Sequence, residues 1–267
     1  MSAPAHEEVP QLLHEAVAGR PTRCVWRNAL GGLTFAVGSP VVEYLKWSPE
    51  CWETDLGLEA EKTAWASRWV AAPEVLDVGF GVDPRLGPGA WVRTRALPGT
   101  TAIGPEWQSE ATVVELGRAL RELHDRLPVR ECAWSWSAED QLARLREHLP
   151  DAPLDALGEP PEVDREVVCH GDACNPNFLM RPGADGRPRC SGYVDLGELG
   201  LADRWSDLAP ALLSLGWNFP DVAGPERRRD LLLEGYGVDL DADRLDWYTR
   251  LYTAGDGDAP AEGQKTV

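Results

Sequence analysis

Short apolar runs separated by glycine- and proline-containing turns fill the first hundred residues, a pattern typical of a small antiparallel sheet. Strands are predicted over residues 23–26, 34–37, 41–47, 74–80 and 90–97. Between the third and the fourth of these runs, Leu58, Trp65 and Trp69 recur at near-helical spacing and predict a helix over residues 56–70.

From residue 105 onward the pattern becomes helical. An apolar stripe with intervals of three and four residues predicts a helix over 107–127; its members are Val113, Leu116, Leu120, Leu123 and Leu127. Further helices are predicted over residues 137–149, 205–215, 225–236 and 242–252. Two short apolar strands, 166–169 and 190–196, are expected to pair as a hairpin, with the turn-rich segment 181–189 between them.

Together these patterns predict an α+β fold in two parts. Residues 1–97 are expected to form a small β-sheet lobe with one main helix, and residues 98–267 a larger, mostly helical lobe. The tail from residue 253 to 267 is rich in Gly, Asp and Ala, so we expect it to be frayed.

The charge of the chain narrows the range of partners. Asp and Glu number 44 against 26 Lys and Arg, which gives a net charge of −18 at pH 7. Such a surface repels phosphate backbones and anionic lipids, so nucleic acids and membranes are not expected as partners. A cationic small molecule fits this charge better.

The six cysteines are scattered without a CxxC pair or histidines at ligand spacing, which predicts free thiols in a reducing compartment. The first residues lack the basic segment of a signal peptide, and no apolar run reaches the ~18 residues that span a bilayer. We therefore expect a cytoplasmic protein. The sequence leaves monomer and dimer open.

One segment carries the strongest chemical signal. Residues 168–177 read Val-Cys-His-Gly-Asp-Ala-Cys-Asn-Pro-Asn, which places Asp172 five residues before Asn177, directly after a short strand. This is the spacing of the protein-kinase catalytic loop, in which the aspartate accepts the proton of the attacking hydroxyl and the asparagine holds magnesium. Asp172 is therefore predicted as the catalytic base and Asn177 as a metal ligand.

A second motif supports the same chemistry. Asp195-Leu196-Gly197 follows Asn177 by eighteen residues and ends the next predicted strand, as the metal-binding D-F-G motif of kinases does, with Leu in place of Phe. Oxygen ligands suit a hard cation such as Mg²⁺. The two motifs together predict phosphoryl transfer with Asn177 and Asp195 holding Mg²⁺.

The first hundred residues offer the remaining parts of a phosphate site. Lys46 ends a predicted strand, in the manner of the kinase lysine that binds the α- and β-phosphates, and the following helix offers Glu59 or Glu61 as its partner. Gly31 and Gly32, followed by Thr34, are expected to let backbone N–H groups approach the phosphates.

With these motifs, the chain resembles the aminoglycoside phosphotransferases, and most closely their 3'-O-kinases. The resemblance is carried by residues 170–177 and 195–209 and runs more weakly through most of the chain. It implies a two-lobed, protein-kinase-like fold, ATP or GTP as phosphoryl donor, and Mg²⁺. Because Trp65 stands six residues after Glu59, the resemblance selects Glu59 over Glu61. Residues 91–99 resemble the hinge between the lobes, which implies adenine contacts from the backbone of Thr94, Arg95 and Ala96.

The departures from this family fall on the acceptor side. Glu198 stands where these kinases have Arg, the acidic residue expected near Trp217 is missing, and the acidic, aromatic end of the family reads Tyr-Thr-Ala-Gly at 252–255. We expect the acceptor to be held by Glu198, by Asp155 and Glu159 of the loop 150–164, and by an aromatic wall that includes Trp217.

The function expected from the resemblance is transfer of the γ-phosphate to a hydroxyl, the 3' position, of an aminoglycoside or of a biosynthetic amino-sugar intermediate, in antibiotic resistance or antibiotic biosynthesis. The alternative keeps the kinase chemistry and changes the acceptor to a peptide or nucleoside antibiotic or a small amino alcohol. A nucleotide-binding pseudokinase is the alternative of another class. A dinucleotide-binding oxidoreductase is excluded because the strand–glycine–helix fingerprint is missing.

Overall fold

A five-stranded antiparallel sheet dominates the first of two units in the chain. The structure, a computed structural model, describes residues 9–254. Of these, 9–98 form one unit and 99–254 the other. The strands of the first sheet lie in the order β1-β2-β3-β5-β4 and span Thr22–Arg27 (β1), Leu33–Val37 (β2), Glu43–Pro49 (β3), Val75–Asp83 (β4) and Gly87–Arg95 (β5).

One main helix accompanies this sheet, as the sequence predicts. Helix α2 spans Leu56–Ala66 and ends four residues before its predicted end. It begins where the side chain of Asp55 accepts a hydrogen bond from the N–H of Leu58, an N-cap that satisfies one of the free amides of the first turn. Its buried residues Leu56 and Ala60 pack with Val92 of β5. A short helix, α1 (His14–Val17), precedes the sheet.

The second unit is mainly helical. Its longer helices span Glu110–Arg126 (α3), Ala138–His148 (α4), Trp205–Asn218 (α5), Pro225–Tyr236 (α6) and Ala242–Thr253 (α7). The apolar stripe predicted on α3 is buried throughout. Helix α7 includes Thr253, the first residue of the tail that was expected to be frayed, and residues 255–267 of that tail lie outside the described residues.

Two glycines set how closely α3 and α6 approach. A Cβ on Gly117 of α3 would lie 2.1 Å from the carbonyl oxygen of Leu232, and a Cβ on Gly235 of α6 would lie 2.1 Å from that of Val114. Neither contact leaves room for a side chain, so the two helices touch backbone to backbone here. This contact fixes the position of Tyr236, the last residue of α6, beside α3.

The strand pairing in the second unit differs from the prediction. Strands β7 (Glu166–Cys169) and β9 (Pro188–Tyr193) are not hairpin partners. Instead β7 pairs with β10 (Gly200–Asp203), and β9 pairs with β8 (Phe178–Pro182), whose other edge pairs with β6 (Thr100–Thr101). The expected hairpin was wrong because four-residue strands carry no local signal of which partner they will meet.

All six cysteines are free thiols in the structure. Within residues 9–254, no helix has both the length and the apolar character needed to cross a bilayer.

Candidate active site

The loop that follows β7 brings the predicted base and a predicted metal ligand into direct contact. The side-chain amide of Asn177 donates to Asp172 twice, to the backbone oxygen over 2.9 Å and to Oδ2 over 3.0 Å. Asn177 is buried, whereas Asp172 is only half-buried. The carboxylate of Asp172 is therefore held from one side by a buried amide.

Asp195, the second predicted metal ligand, follows shortly after the end of β9. The N–H of Val194 donates to the backbone oxygen of Asn177 over 3.0 Å, which ties Asp195 to the loop. Asp195 has a φ of +67°. Only a few per cent of non-glycine residues adopt this left-handed conformation, which costs of order 1–3 kcal/mol and clusters at active sites. The exposed carboxylate of Asp195 is thus held in place by a strained backbone conformation.

His170 joins the same two segments rather than acting on a substrate. Its Nε2 lies 3.1 Å from the carbonyl oxygen of Val194, and its ring stacks on Phe178. A carbonyl oxygen only accepts hydrogen bonds, so the proton of the ring is on Nε2. His170 is fully buried, so its ring links the two segments from inside the fold.

A buried carboxylate anchors the start of the loop. Asp207 at the first turn of α5 accepts from the N–H of His170 over 2.6 Å and from that of Gly171 over 2.9 Å. It also lies 2.9 Å from Nε2 of His124, whose Nδ1 lies 2.8 Å from the hydroxyl of Tyr236. Burial is the main cause that raises the pKa of Tyr236 above its usual value, so this phenol stays protonated in its hydrogen bond with His124.

The donor set at this loop suits magnesium. Because the Nδ2 atom of Asn177 points at Asp172, its Oδ1 faces the opposite way. Asp195 adds a carboxylate. An amide oxygen and a carboxylate are oxygen ligands of the kind that Mg²⁺ takes, together with water and substrate phosphates. The residues present therefore fit the predicted ion.

In the first unit, Lys46 has the partner that the resemblance selects. Its Nζ lies 2.8 Å from Oε2 and 3.0 Å from Oε1 of Glu59. Thr34 of β2 stands directly opposite Lys46 of β3, so the two side chains share a face of the sheet. The structure thus places Lys46, the predicted phosphate-binding side chain, beside Thr34 of the predicted glycine segment.

The glycine turn between β1 and β2 is closed on itself. The N–H of Gly32 donates to Oδ1 of Asn28 over 2.6 Å, and the N–H of Gly31 donates to the backbone oxygen of Asn28 over 3.2 Å. Both amides predicted to approach phosphates are used inside the turn. A phosphate contact from them would require the turn to open.

The segment predicted to bind adenine is also engaged within the sheet. Thr94 pairs with Tyr44 of β3, the N–H of Arg95 donates to the oxygen of Glu74, and the N–H of Ala96 donates to that of Val42. A base at this segment would therefore meet carbonyl oxygens or the backbone of Leu97.

The predicted acceptor residues do not form one cluster of open acids. Oε2 of Glu198 accepts from Nη1 of Arg144 over 2.7 Å, and this guanidinium lies 5.5 Å from the ring centroid of Trp136. The charge of Glu198 is thus compensated, unlike the open carboxylate expected from the sequence. No local sequence pattern indicates this pair, because 54 residues separate its members.

Trp217 and the acids of the loop 150–164 complete the set of residues predicted to hold the acceptor. The N–H of Asn175 donates to the hydroxyl of Ser214 in α5, and Trp217 lies three residues further along the same helix, exposed. Residues three apart share a helix face, so Trp217 lies on the side that meets the loop. Asp155 and Glu159 of the loop 150–164 are both exposed.

Sequence reasoning missed Tyr252 of α7. Its hydroxyl lies 3.0 Å from Oδ1 of Asp172 and 3.1 Å from the sulfur of Cys174. The residue stands 80 positions after Asp172 in the chain. No local pattern could have linked the two.

Relatives of the chain are found among curated sequences. The profile of the Phosphotransferase enzyme family matches residues 52–248. The aminoglycoside 3'-phosphotransferase of Streptomyces fradiae is 32% identical over 227 residues, which cover 76% of this chain and 81% of that protein. The streptomycin 3''-kinase of Streptomyces griseus is 31% identical over 240 residues, which cover 78% of this chain and 83% of that protein.

Among solved structures, aminoglycoside phosphotransferase APH(3'')-Id of Streptomyces rimosus matches with a TM-score of 0.71 at 26% identity, covering 91% of this chain and 96% of that one. Its complex with ADP and streptomycin matches with a TM-score of 0.67 at 25% identity and the same coverage. The predicted resemblance and the α+β, kinase-like fold are confirmed, as is the prediction of an enzyme that transfers phosphoryl groups. With a family profile that spans most of its length and relatives above 30% identity over three quarters of it, the chain belongs to the Phosphotransferase enzyme family.

Proposed function

We propose that this protein transfers the γ-phosphoryl group of ATP or GTP to a hydroxyl, the 3' position, of an aminoglycoside or a related amino-sugar intermediate. The observation that carries the proposal is the contact of Asp172 with Asn177, with Asp195 tied to the same loop through Val194. These are the side chains that phosphoryl transfer from a nucleotide to an alcohol requires.

Asp172 has the role of base and positioning group. Its carboxylate accepts the hydrogen bond of the acceptor hydroxyl, orients the oxygen toward the phosphorus, and takes the proton late in the transfer. The amide of Asn177 keeps the plane of the carboxylate fixed while this happens. Since the transition state is loose, orientation and electrostatics supply most of the effect.

Asn177 and Asp195 are the residues that would hold magnesium. When bound, Mg²⁺ neutralises the charge that develops on the phosphate oxygens. In the other unit, Lys46 binds the α- and β-phosphates, and the two oxygens of Glu59 fix its ammonium group. The ion pair holds the ammonium group of this lysine against the carboxylate of Glu59.

The names of the relatives support the acceptor class. The Streptomyces fradiae relative is named for the 3' position and the Streptomyces griseus relative for the 3'' position of streptomycin. The Streptomyces rimosus neighbour was solved with ADP and streptomycin. A cationic acceptor also suits a chain with a net charge of −18.

A second acceptor class is favoured by one observation. Glu198 is already neutralised by Arg144, so fewer open carboxylates are at hand for a polyamine than the sequence suggests. An acceptor with fewer ammonium groups, such as a peptide or nucleoside antibiotic or an amino alcohol, fits that arrangement.

The test is release of nucleoside diphosphate from ATP and from GTP, with Mg²⁺, across a panel of acceptors. The panel contains aminoglycosides with a 3' hydroxyl, their 3'-deoxy counterparts, streptomycin, and members of the second acceptor class. Mass spectrometry identifies products that gain one phosphoryl group, and Asp172→Asn serves as the blank. We expect turnover of the 3'-hydroxyl compounds and none of the 3'-deoxy compounds.

Three results would revise the proposal. Equal turnover of the 3'-deoxy compounds moves the site of transfer to another hydroxyl. Faster turnover of a neutral acceptor replaces the aminoglycoside class. Nucleotide binding without turnover of any acceptor, at the level of the Asp172→Asn blank, would make the protein a pseudokinase.

The metal role has its own test in one variant of Asp195, with Asp172→Asn as the control. Asn adopts the left-handed conformation of this residue more readily than Ala does, so Asp195→Asn removes the charge with less backbone strain. Calorimetry should show a loss of magnesium-dependent nucleotide affinity of about tenfold or more in Asp195→Asn and no loss in Asp172→Asn. Unchanged affinity in Asp195→Asn would contradict the metal role.

A further inference from the structure

Tyr252 reaches the catalytic loop from helix α7. Its hydroxyl lies 3.0 Å from Oδ1 of Asp172, while the amide of Asn177 lies 3.0 Å from Oδ2. The two oxygens of one carboxylate are therefore contacted by two different elements of the second unit. A carboxylate offers about four lone-pair sites, so these two hydrogen bonds fix its plane without using its full accepting capacity.

The direction of the hydrogen bonds follows from the chemistry of the groups. An ionised carboxylate only accepts, so the hydroxyl proton of Tyr252 points at Asp172. The tyrosine oxygen then has only lone pairs left for Cys174, whose sulfur lies 3.1 Å away, so the thiol is the donor in that contact. The result is a directed chain in which Cys174 donates to Tyr252 and Tyr252 donates to Asp172.

The environment favours the protonated phenol. Burial, followed by the charge of Asp172 and by Cys174, raises the pKa of Tyr252 well above its usual value. The phenol is therefore protonated at neutral pH and can donate to Asp172. Cys174 itself is buried, with 2% of its surface exposed, so water does not compete for the thiol.

We propose that Tyr252 is a positioning residue for the reaction, which holds the carboxylate of Asp172 in the orientation that receives the acceptor hydroxyl, with Cys174 as the group that holds Tyr252. The inference rests on the proposed role of Asp172 as base. It assigns a function in catalysis to the last turn of α7, a helix that the sequence motifs do not reach. Without the phenol, the carboxylate loses the hydrogen bond at Oδ1 that fixes its plane together with the amide of Asn177 at Oδ2.

The first experiment compares two tyrosines of the same helix. Tyr252→Phe removes one hydroxyl and keeps the ring, and the matched control Tyr248→Phe removes a hydroxyl one turn earlier on α7. We expect kcat to fall about tenfold in Tyr252→Phe while the KM values for nucleotide and acceptor change less than about twofold. Tyr248→Phe should retain the wild-type kcat, and both variants should melt near the wild-type temperature.

The second experiment tests the chain through Cys174. Removing the thiol in Cys174→Ala should lower kcat by about twofold to fivefold, because Tyr252 loses a donor. Cys174→Ser restores an O–H donor and should restore kcat. In an Asp172→Asn background, Tyr252→Phe should have no further effect, since both changes act on one group.

Several results would overturn the inference: an unchanged or raised kcat in Tyr252→Phe, an equal loss in Tyr248→Phe, or a full further loss in the Asp172→Asn background. A raised kcat would instead mean that Tyr252 blocks the acceptor. Crystal structures of the wild type and of Tyr252→Phe give a readout that needs no turnover, since the Asp172 carboxylate should rotate or lose order only in the variant. If the wild type turned over no acceptor, the proposed function would be wrong, and the carboxylate orientation would still decide whether Tyr252 holds Asp172.

Discussion

Two carboxylates of the second unit, Asp207 and Asp172, are held by similar hydrogen bonds, but we expect different roles for them. Asp207 receives hydrogen bonds from two backbone amides and from His124, which is in turn contacted by Tyr236 of α6. Asp172 receives hydrogen bonds from a side-chain amide and from a tyrosine of α7. Asp207 is fully buried, and Asp172 is half-buried.

The difference in burial separates structure from chemistry. A buried carboxylate that loses its charge leaves its donors unsatisfied, so its contribution is to the stability of the fold. A half-buried carboxylate keeps access to solvent, so we expect Asp172 to contribute to the reaction that we propose. Asp207 shapes the loop on which Asp172 acts, and the predictions below separate these two roles.

The largest effect is expected at the half-buried carboxylate. Asp172→Asn keeps the size of the side chain and removes its capacity as a base, so kcat should fall by about 10²–10⁴. The free energy of unfolding should change by less than about 1 kcal/mol. Steady-state kinetics and urea denaturation measure the two quantities. Asp185→Asn, in the exposed turn between β8 and β9, is the control and should keep full activity.

Retention of more than about a tenth of the activity in Asp172→Asn would be too much for a catalytic base. A large loss of stability in the same variant would place Asp172 with Asp207 as a structural residue and remove the contrast between them.

A smaller effect, on stability instead of kcat, is expected at Asp207, the buried carboxylate. In Asp207→Asn an NH₂ group faces donors that the carboxylate accepted from, so we expect the free energy of unfolding to fall by about 3 kcal/mol. Urea denaturation, followed by fluorescence of the buried tryptophans, measures this loss. Folded enzyme at low temperature should keep more activity than Asp172→Asn. A change in stability below about 1 kcal/mol would show that the backbone holds the loop without this anchor.

The smallest effect compares the two tyrosines. Tyr236→Phe removes the donor to Nδ1 of His124 and keeps the ring beside Arg121 and Arg204. The free energy of unfolding should fall by about 1 kcal/mol, with kcat reduced less than about twofold. Tyr252→Phe should show the reverse, a loss of kcat with little loss of stability. Similar kinetic losses in both variants would mean that the two hydrogen-bond chains are not distinct in function.

How much of the site could be predicted from the sequence depends on the range over which each signal acts. The spacing of Asp172, Asn177 and Asp195 is local, because a loop of fixed length must present these groups to one nucleotide. The Lys46–Glu59 pair spans 13 residues, and the resemblance was needed to choose Glu59 over Glu61. Helix positions were predictable because burial imposes a period of three to four residues.

The pairing partners of the short strands could not be predicted from the sequence. β7 has four residues, of which the last three are apolar and buried, and it pairs with β10, which ends directly before α5. The sequence offered the next apolar strand as the simplest partner, and that expectation was wrong. Strand pairing is a long-range choice, since pattern reports which residues are buried and not against what.

What the sequence by itself determined is the family, the order of the elements and a set of candidate groups: a carboxylate that we propose as the base, oxygen ligands that we propose for a hard cation, and a lysine that we propose for the phosphates. Only the tertiary structure decided which side chains contact these groups. Tyr252 meets Asp172 across 80 residues, and Arg144 neutralises Glu198 across 54. Such contacts depend on how helices pack after the chain has folded, and a linear pattern of residues cannot encode a distance between side chains on separate helices.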